Sequence, residues 1–305
     1  MPHKKAERTT IYDDVFRTMM DATPRLIIYL INEVFGENYN GTEKIIMLKN
    51  EHVSGGKKII TDSYMQIGDK HYHIECQSNQ DGSMAIRMIE YDFMIALQNA
   101  EKTGYHYSMK YPNSCVLYLR HNKETPDCIR VTVELPDKTS FEYEVPIVKV
   151  QNYCADDIFE KKLFAFLPYY ILQYEKQLPA MEKDAQLRAG LLETYKKIFS
   201  KMQELSGNEL SGFEVLKLKD WLLSVLEQVA RAEDDIREEV CKMCGTIIRT
   251  KVDEVYEEGD MHARQSIIVN LHNRGVGLAD IADIVQVSTE TVKQCLAGVA
   301  IPPAK

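Results

Sequence analysis

Residues 57–77 read KKIITDSYMQIGDKHYHIECQ, and the reading of this stretch decides the fold. Two strand-like runs, Lys58–Ile67 and Lys70–Gln77, flank the dipeptide Gly68-Asp69. A two-residue loop with Gly in first position suits a type II′ hairpin turn. If Ile67 faces Lys70, the numbers of facing residues sum to 137, and Asp62 stands opposite Glu75. Side chains alternate along a strand. Ile60, Asp62 and Tyr64 then share one face of the first strand, and His73, Glu75 and Gln77 share the matching face of the second. Facing Cβ atoms lie roughly 5 Å apart, a distance at which like charges repel. A divalent cation between the two carboxylates would offset that repulsion. Hard cations such as Mg²⁺, or Mn²⁺ in its place, take one or two protein carboxylates and leave positions for water and phosphate. The competing reading is a solvent-facing hairpin that carries two unrelated acids.

Asp62, twelve intervening residues and Glu75-Cys76-Gln77 resemble the D…(D/E)xK signature of the PD-(D/E)XK nucleases. Glu75-Cys76-Gln77-Ser78 is similar to the ExQS segment of the recombination-promoting nuclease (Rpn, YhgA-like) family, which is associated with transposases. Asp13-Asp14-Val15-Phe16-Arg17 resembles that family's N-terminal DxxFK helix motif, and Ile86-Arg87-Met88-Ile89-Glu90-Tyr91 resembles the arginine-and-tyrosine helix after its acidic hairpin. The likeness covers roughly residues 10–150 and is looser beyond. Thr61 stands where the superfamily often has Pro, Arg17 stands for the usual Lys, and Gln77 stands where many relatives carry Lys. Gln can orient a water molecule but supplies no positive charge.

The resemblance implies an α/β fold with a restriction-endonuclease-like core of helix, three-stranded meander, helix and strand, followed by a mainly α-helical C-terminal region. It implies a Mg²⁺-dependent endonuclease that hydrolyses DNA phosphodiester bonds in recombination or transposition. Asp62 and Glu75 would hold the metal with the Cys76 carbonyl as third protein ligand. Gln77 would position the attacking water. Asp13, His73, Arg87 and Tyr91 would support the cluster. The alternatives are a catalytically inactive DNA-binding or assembly protein that kept the nuclease fold, and a regulator whose C-terminal tail reads an operator. Asp13 also suits a simple electrostatic role at a helix start, and His73 suits a half-buried strand position.

Composition sets the outer bounds. The chain has 305 residues, 45% apolar and 27% charged, which suffices for a sizeable core. No apolar run of about 18 residues predicts a membrane span, and the start lacks the apolar segment of a secretory signal. A cytoplasmic protein is expected, with its seven cysteines reduced. Cys241-Lys242-Met243-Cys244, followed by His262 and His272, does not match a zinc-module spacing and reads as ordinary thiols. The net charge of −9 opposes general nucleic-acid binding, but the excess acid lies away from the hairpin. Residues 181–260 hold 12 basic and 18 acidic side chains, whereas residues 41–80 hold five of each.

Three regions are expected: an α/β domain over 1–150, a helical region over 151–260, and a small helix-turn-helix-like tail over 261–305. Residues 9–22 read as an amphipathic helix capped by Thr9 or Thr10, and Arg25–Phe35 as a second helix stopped by Gly36. Thr42–Val53 reads as a strand that completes a meander with the hairpin. Asp81–Lys102 is apolar on nearly all sides and predicts a helix buried against a sheet, with Arg87, Tyr91 and Met94 on one face. Ser114–Arg120 follows after a helix-long connection, which permits parallel pairing. Ile129–Leu135 and Ser140–Val145 form a second hairpin, with a further strand over Pro146–Val150. Helices are expected over Ile158–Lys176, 181–204, 211–231 and 233–257. In the tail, Leu278–Val285 and Ser288–Leu296 form two short helices, with Ser288 as cap. The exposed residues of the second (Thr289, Glu290, Thr291, Lys293 and Gln294) include one Lys and one Glu, a poor set of phosphate anchors. A packing or self-association role suits them better.

Overall fold

Thr10 starts the first helix of the computed structural model, which describes residues 10–54, 57–79, 81–248, 267–269, 271–272, 275–285 and 287–296. Helix α1 (Ile11–Ala22) carries a capping box: Thr10 Oγ1 accepts from the Asp13 N–H, and Asp13 accepts from the Thr10 N–H. The expected apolar side, Val15, Phe16, Met19 and Met20, is buried. Pro24–Ile27 forms one 3₁₀ turn before α2 (Ile28–Phe35), which ends at Gly36 with φ 66°. A residue without Cβ adopts that left-handed conformation at little cost.

The run Thr42–Val53 is not one strand. Strand β1 (Ile45–Met47) lies in the main sheet, and β2 (Glu51–Ser54) pairs with β3 (Lys57–Ile60) in a separate ribbon. Likewise Lys58–Ile67 divides into β3 and β4 (Ser63–Ile67). The corner is fixed by hydrogen bonds: the Thr61 N–H donates to the Asn50 carbonyl at 2.9 Å, and the Asp62 N–H to Glu75 Oε1 at 2.9 Å. Ile60 therefore leaves the face it was expected to share with Asp62 and Tyr64. It is half exposed, whereas those two are buried.

Strand β5 (Lys70–Gln77) pairs with β4 in the expected register, Ile67 against Lys70 and Tyr64 against His73. Gly68 has φ 62° in the turn. The meander is thus β1, β4 and β5, with the β2–β3 ribbon inserted in it. Helix α3 (Met84–Gln98) follows. It buries Met84, Met88, Asp92 and Ile95 but leaves Ile86, Phe93 and Leu97 exposed, so only one side is covered. Its expected last turn is instead the start of a small exposed ribbon, β6 (Glu101–Thr103) with β7 (His106–Ser108), turned at Gly104.

Strand β8 (Asn113–Tyr118) runs parallel to β5, with Glu75 against Val116. Strands β9 (Cys128–Glu134) and β10 (Ser140–Lys149) form the second hairpin, and β10 continues through Pro146 as one strand rather than two. Its final residues, Ile147–Lys149, pair parallel with β8. The sheet order is β1-β4-β5-β8-β10-β9. Met84 and Met88 of α3 pack on Val116, Tyr118, Val145 and Ile147.

The remainder is helical, so the chain is mixed α/β with a helical C-terminal region. The segment Ile158–Lys176 is not continuous helix: α4 (Ala155–Glu160) ends before Lys162, whose φ is 56°, and a 3₁₀ segment spans Phe164–Gln173. Pro168 inside it lacks the N–H that an α-helix needs there. Its aromatic side chains are core, as is Trp221. Helices α5 (Leu178–Lys183) and α6 (Ala185–Leu205) meet at Asp184, which caps the second. Then come α7 (Gly212–Val229) and α8 (Asp234–Ile247). Residues 1–244 form one compact unit, so α4 to α7 share it with the sheet.

The second unit is 245–305. Within it α9 (Leu278–Val285) and α10 (Thr289–Leu296) pack Ile281, Val285, Val292 and Cys295 around Ile268. Ser288 Oγ accepts from the Thr291 N–H, the expected cap. Lys293 and Glu290 pair with each other. The expected helix beyond residue 248, and His262, lie outside the described residues. All seven cysteines are free. Among the described residues no helix is long and apolar enough to cross a membrane.

Candidate active site

The corner at Thr61–Asp62 brings the end of β4 against the C-terminal half of β5. Continuing the β4–β5 register past Ser63–Ile74 sets Asp62 beside Glu75. The two are linked in both directions: the Asp62 N–H donates to Glu75 Oε1 at 2.9 Å, and the Cys76 N–H donates to Asp62 Oδ2 at 3.0 Å. These are not solvent-facing acids, because Asp62 is 5% and Glu75 1% exposed. Burial, and then the Glu75 charge, push the Asp62 carboxyl up to about 7, against the pull of the Cys76 N–H and of Arg17.

Each acid faces an arginine. Arg17 of α1 places Nη2 2.7 Å and Nε 3.0 Å from Asp62 Oδ1. Arg87 of α3 lies 3.8 Å from Glu75 Oε2 and 3.5 Å from Asp81, with Nε donating to the Tyr91 hydroxyl at 3.3 Å. Arg17 therefore reaches Asp62 across 45 residues of sequence, and Arg87 and Tyr91 line the same side as Glu75.

His73 is fully buried under α3, its ring 6.1 Å from that of Tyr91. Its Nε2 is 3.0 Å from Glu75 Oε1 and its Nδ1 is 2.6 Å from Asp92 Oδ1. Burial lowers the imidazole pKa, but Asp92 and Glu75 outweigh it and raise it to about 10. The Tyr143 hydroxyl donates to Asp92 Oδ2 at 2.5 Å. The cluster thus sets Asp62, Glu75 and Asp92 against Arg17, His73 and Arg87.

The other expected residues fall as follows. Gln77 is half-buried, one alternation beyond Glu75, with its carbonyl accepting from the Leu119 N–H. Cys76 points to the opposite face of the sheet, where burial holds its thiol protonated, so only its backbone belongs to the acid pair. Asp13 is committed to the α1 cap, accepting from the Thr10 N–H and hydroxyl. It acts on the cluster through its field alone, at Arg17.

Sequence reasoning weighed Asp92, with Glu90, only as an ion-pair partner of Arg87, and did not bring it to His73. The signal was present: Met84, Met88, Asp92 and Ile95 recur at helical spacing, and an acid on a buried stripe requires a partner. It also missed Arg120, next to the β8 end. Arg120 binds Glu175 through Nε and Nη2 at 2.6 and 2.8 Å, and reaches the Ser78 carbonyl and the Tyr12 hydroxyl. A cavity of about 340 Å³ runs past Asp81, Met84 and Tyr118 to Cys128, and neither Asp62 nor Glu75 lines it. No protein-family model, curated protein or solved structure matches the chain.

Proposed function

We propose that the protein is a metal-dependent DNA endonuclease of restriction-endonuclease-like core, with Asp62 and Glu75 as the acid pair of its site. One observation carries this reading: two carboxylates are buried side by side at a strand end, each hydrogen-bonded to the other's strand, in the D…ExQ arrangement of residues 62–77. Folding does not gain from such a pair by itself, since burial and mutual repulsion both oppose ionisation.

The donor set fits a hard cation. It consists of oxygens only: Asp62, Glu75 and the adjacent Cys76 carbonyl. Among the described residues no group of three or more His, Cys, Asp and Glu is placed to hold a metal ion; Mg²⁺ and Mn²⁺ keep several waters and take only one or two protein carboxylates. Such an ion, when bound, polarises a phosphodiester and lowers the pKa of a water. Around it, Arg17 and Arg87 supply cationic hydrogen-bond donors for a phosphate, and Gln77 supplies a neutral donor and acceptor to orient a water. His73 keeps Glu75 fixed.

A second reading, a catalytically inactive DNA-binding protein, is favoured by a specific observation: Arg17 and Arg87 already balance both acids. Supercoiled-plasmid cleavage separates the two. Wild type is expected to nick or linearise plasmid with Mg²⁺ or Mn²⁺ and not with chelator, and Asp62→Ala and Glu75→Ala to lose this while remaining folded. Cleavage retained by Asp62→Ala from a clean preparation would refute the assignment. A folded wild type that binds duplex DNA without cutting would establish the second reading.

A further inference from the structure

Between α3 and β8 the chain carries a run of consecutive exposed residues, 101–111, which read EKTGYHYSMKY. The run contains the β6–β7 ribbon and holds three tyrosines, two lysines and one acid. Tyr105, at the turn, is fully exposed, and Tyr107, Met109 and Tyr111 are 51%, 40% and 39% exposed. Folding gains nothing from rings held in water. Single apolar residues on a surface are ordinary, but four at alternate positions of one short segment make a patch. Lys102 faces Tyr107 across the ribbon, with its Nζ 5.3 Å from the ring centroid. Neither Lys102 nor Lys110 forms an ion pair among the described residues. The base of the ribbon is anchored on both sides. Asn99 Nδ2 donates to the Tyr64 hydroxyl at 2.9 Å and to the Ile95 carbonyl at 2.8 Å, and the Tyr111 ring packs edge-on against Tyr143 at 5.8 Å.

We propose that the β6–β7 ribbon binds a DNA strand whose bases are unpaired: Tyr105 and Tyr107 stack on bases, and Lys102 and Lys110 meet the phosphates. Every base has a π-face that an exposed aromatic ring can cover, and cations set among the rings neutralise the backbone. Unpaired lysines beside bare rings, in a chain of net charge −9, complement a polyanion and not another apolar face. A twofold contact of the ribbon with a second copy would instead bring these lysines against their own counterparts. The choice of DNA as the strand rests on the nuclease reading. Helix α3 then sets the spacing. Arg87, beside Glu75, precedes Gln98 by eleven residues, which is about 16 Å along the helix axis. A stacked strand advances about 3.4 Å per nucleotide, so the ribbon meets it about five nucleotides from the acid pair.

The test uses the full chain with chelator present, so that binding is read without cleavage. Fluorescence anisotropy is expected to show wild type binding a fluorescein-labelled oligothymidylate, and the double variant Tyr105→Ala, Tyr107→Ala binding it about tenfold more weakly or worse. Both rings are exposed, so the melting curve of that variant is expected to match wild type. Replacing both by Phe keeps the rings and is expected to keep the affinity. Lys102→Gln is expected to reduce the slope of log affinity against log salt by about 0.7. Wild type that binds no oligothymidylate, or a folded alanine variant that binds it as wild type does, overturns the proposal. So does a ribbon effect confined to fully paired duplex. A wild-type dimer that the alanine variant converts to monomer, with oligothymidylate affinity unchanged, overturns it in favour of self-association. Plasmid cleavage with Mn²⁺ separates this proposal from the reading of the acid pair. Ribbon-dependent binding without cleavage leaves the ribbon standing and removes the nuclease, and cleavage with ribbon-independent binding does the reverse.

Discussion

Asp62→Asn is expected to stabilise the protein at pH 8 and, on the proposed nuclease reading, to remove cleavage. The Asp62 carboxyl is displaced from 3.8 to about 7 by burial and by Glu75. At about 1.4 kcal/mol per tenfold change, holding the ionised form in the fold costs about 4 kcal/mol at pH 8. An amide removes that cost but has one oxygen where the carboxylate has two. Arg17 occupies Oδ1 and the Cys76 N–H occupies Oδ2, so one donor loses its acceptor, at about 2 kcal/mol. The net gain at pH 8 is about 2 kcal/mol. A carboxyl raised in the fold gives its full stability below its unfolded value and loses it as pH climbs through the folded one. The advantage of the amide should therefore shrink in acid and vanish near pH 5, where Asp62 is protonated in the fold and keeping it so costs only about 2 kcal/mol. Urea unfolding of both proteins at pH 5 and pH 8 measures this. A variant less stable than wild type at pH 8, or a difference equal at the two pH values, would refute the electrostatic reasoning.

Two further expectations concern the helical part. Arg25 grips the buried Glu214 through Nε at 2.9 Å and Nη2 at 2.6 Å, and Glu214 also completes the α7 cap. Arg25→Ala should cost about 2 kcal/mol, less than a fully buried pair because Arg25 is partly exposed. Glu214 is burdened by burial, but Arg25 and Ser211 hold its carboxyl below the ordinary range. Its stabilising contribution is therefore present above the usual Glu value and lost as pH falls through the depressed one, so denaturation curves should converge in acid. Tyr195 is fully buried, and its hydroxyl has no hydrogen-bond partner among the described residues. Tyr195→Phe should raise the melting temperature, by about 1 kcal/mol of stability; a lower melting temperature would show that the hydroxyl is satisfied.

The parts of the site legible in the sequence are those set by local rules. Gly68-Asp69 defines a turn, the turn defines the register, and the register brings Asp62 to Glu75 with no long-range information. Thr10 as cap and Gly36 as stop follow from side-chain and backbone chemistry in the same way. The failures are non-local. IIMLKNEHV has strand propensity throughout, and nothing within it states that Leu48 bonds Tyr64 while Glu51 pairs with Ile60. The β6–β7 ribbon was hidden because Glu101 and Lys102 suit a helix as well as a strand. Arg17 at Asp62 and Asp92 at His73 are contacts across the fold. Their residue types called for partners, but only packing chose which ones.

The inserted β2–β3 ribbon makes the two approaches to the acid pair unequal in their tolerance of length change. The chain leaves the sheet after Leu48, returns at Thr61, and closes the excursion with the Thr61–Asn50 bond. Peptide added at the ribbon's tip is absorbed there, because the alignment of Asp62 with Glu75 is counted from the other end, at Gly68-Asp69. One residue added in that turn shifts the count by one and sends alternate side chains to opposite faces. The ribbon is thus the place to graft a tag or a foreign loop, and the turn is the place where a single codon insertion would silence the site.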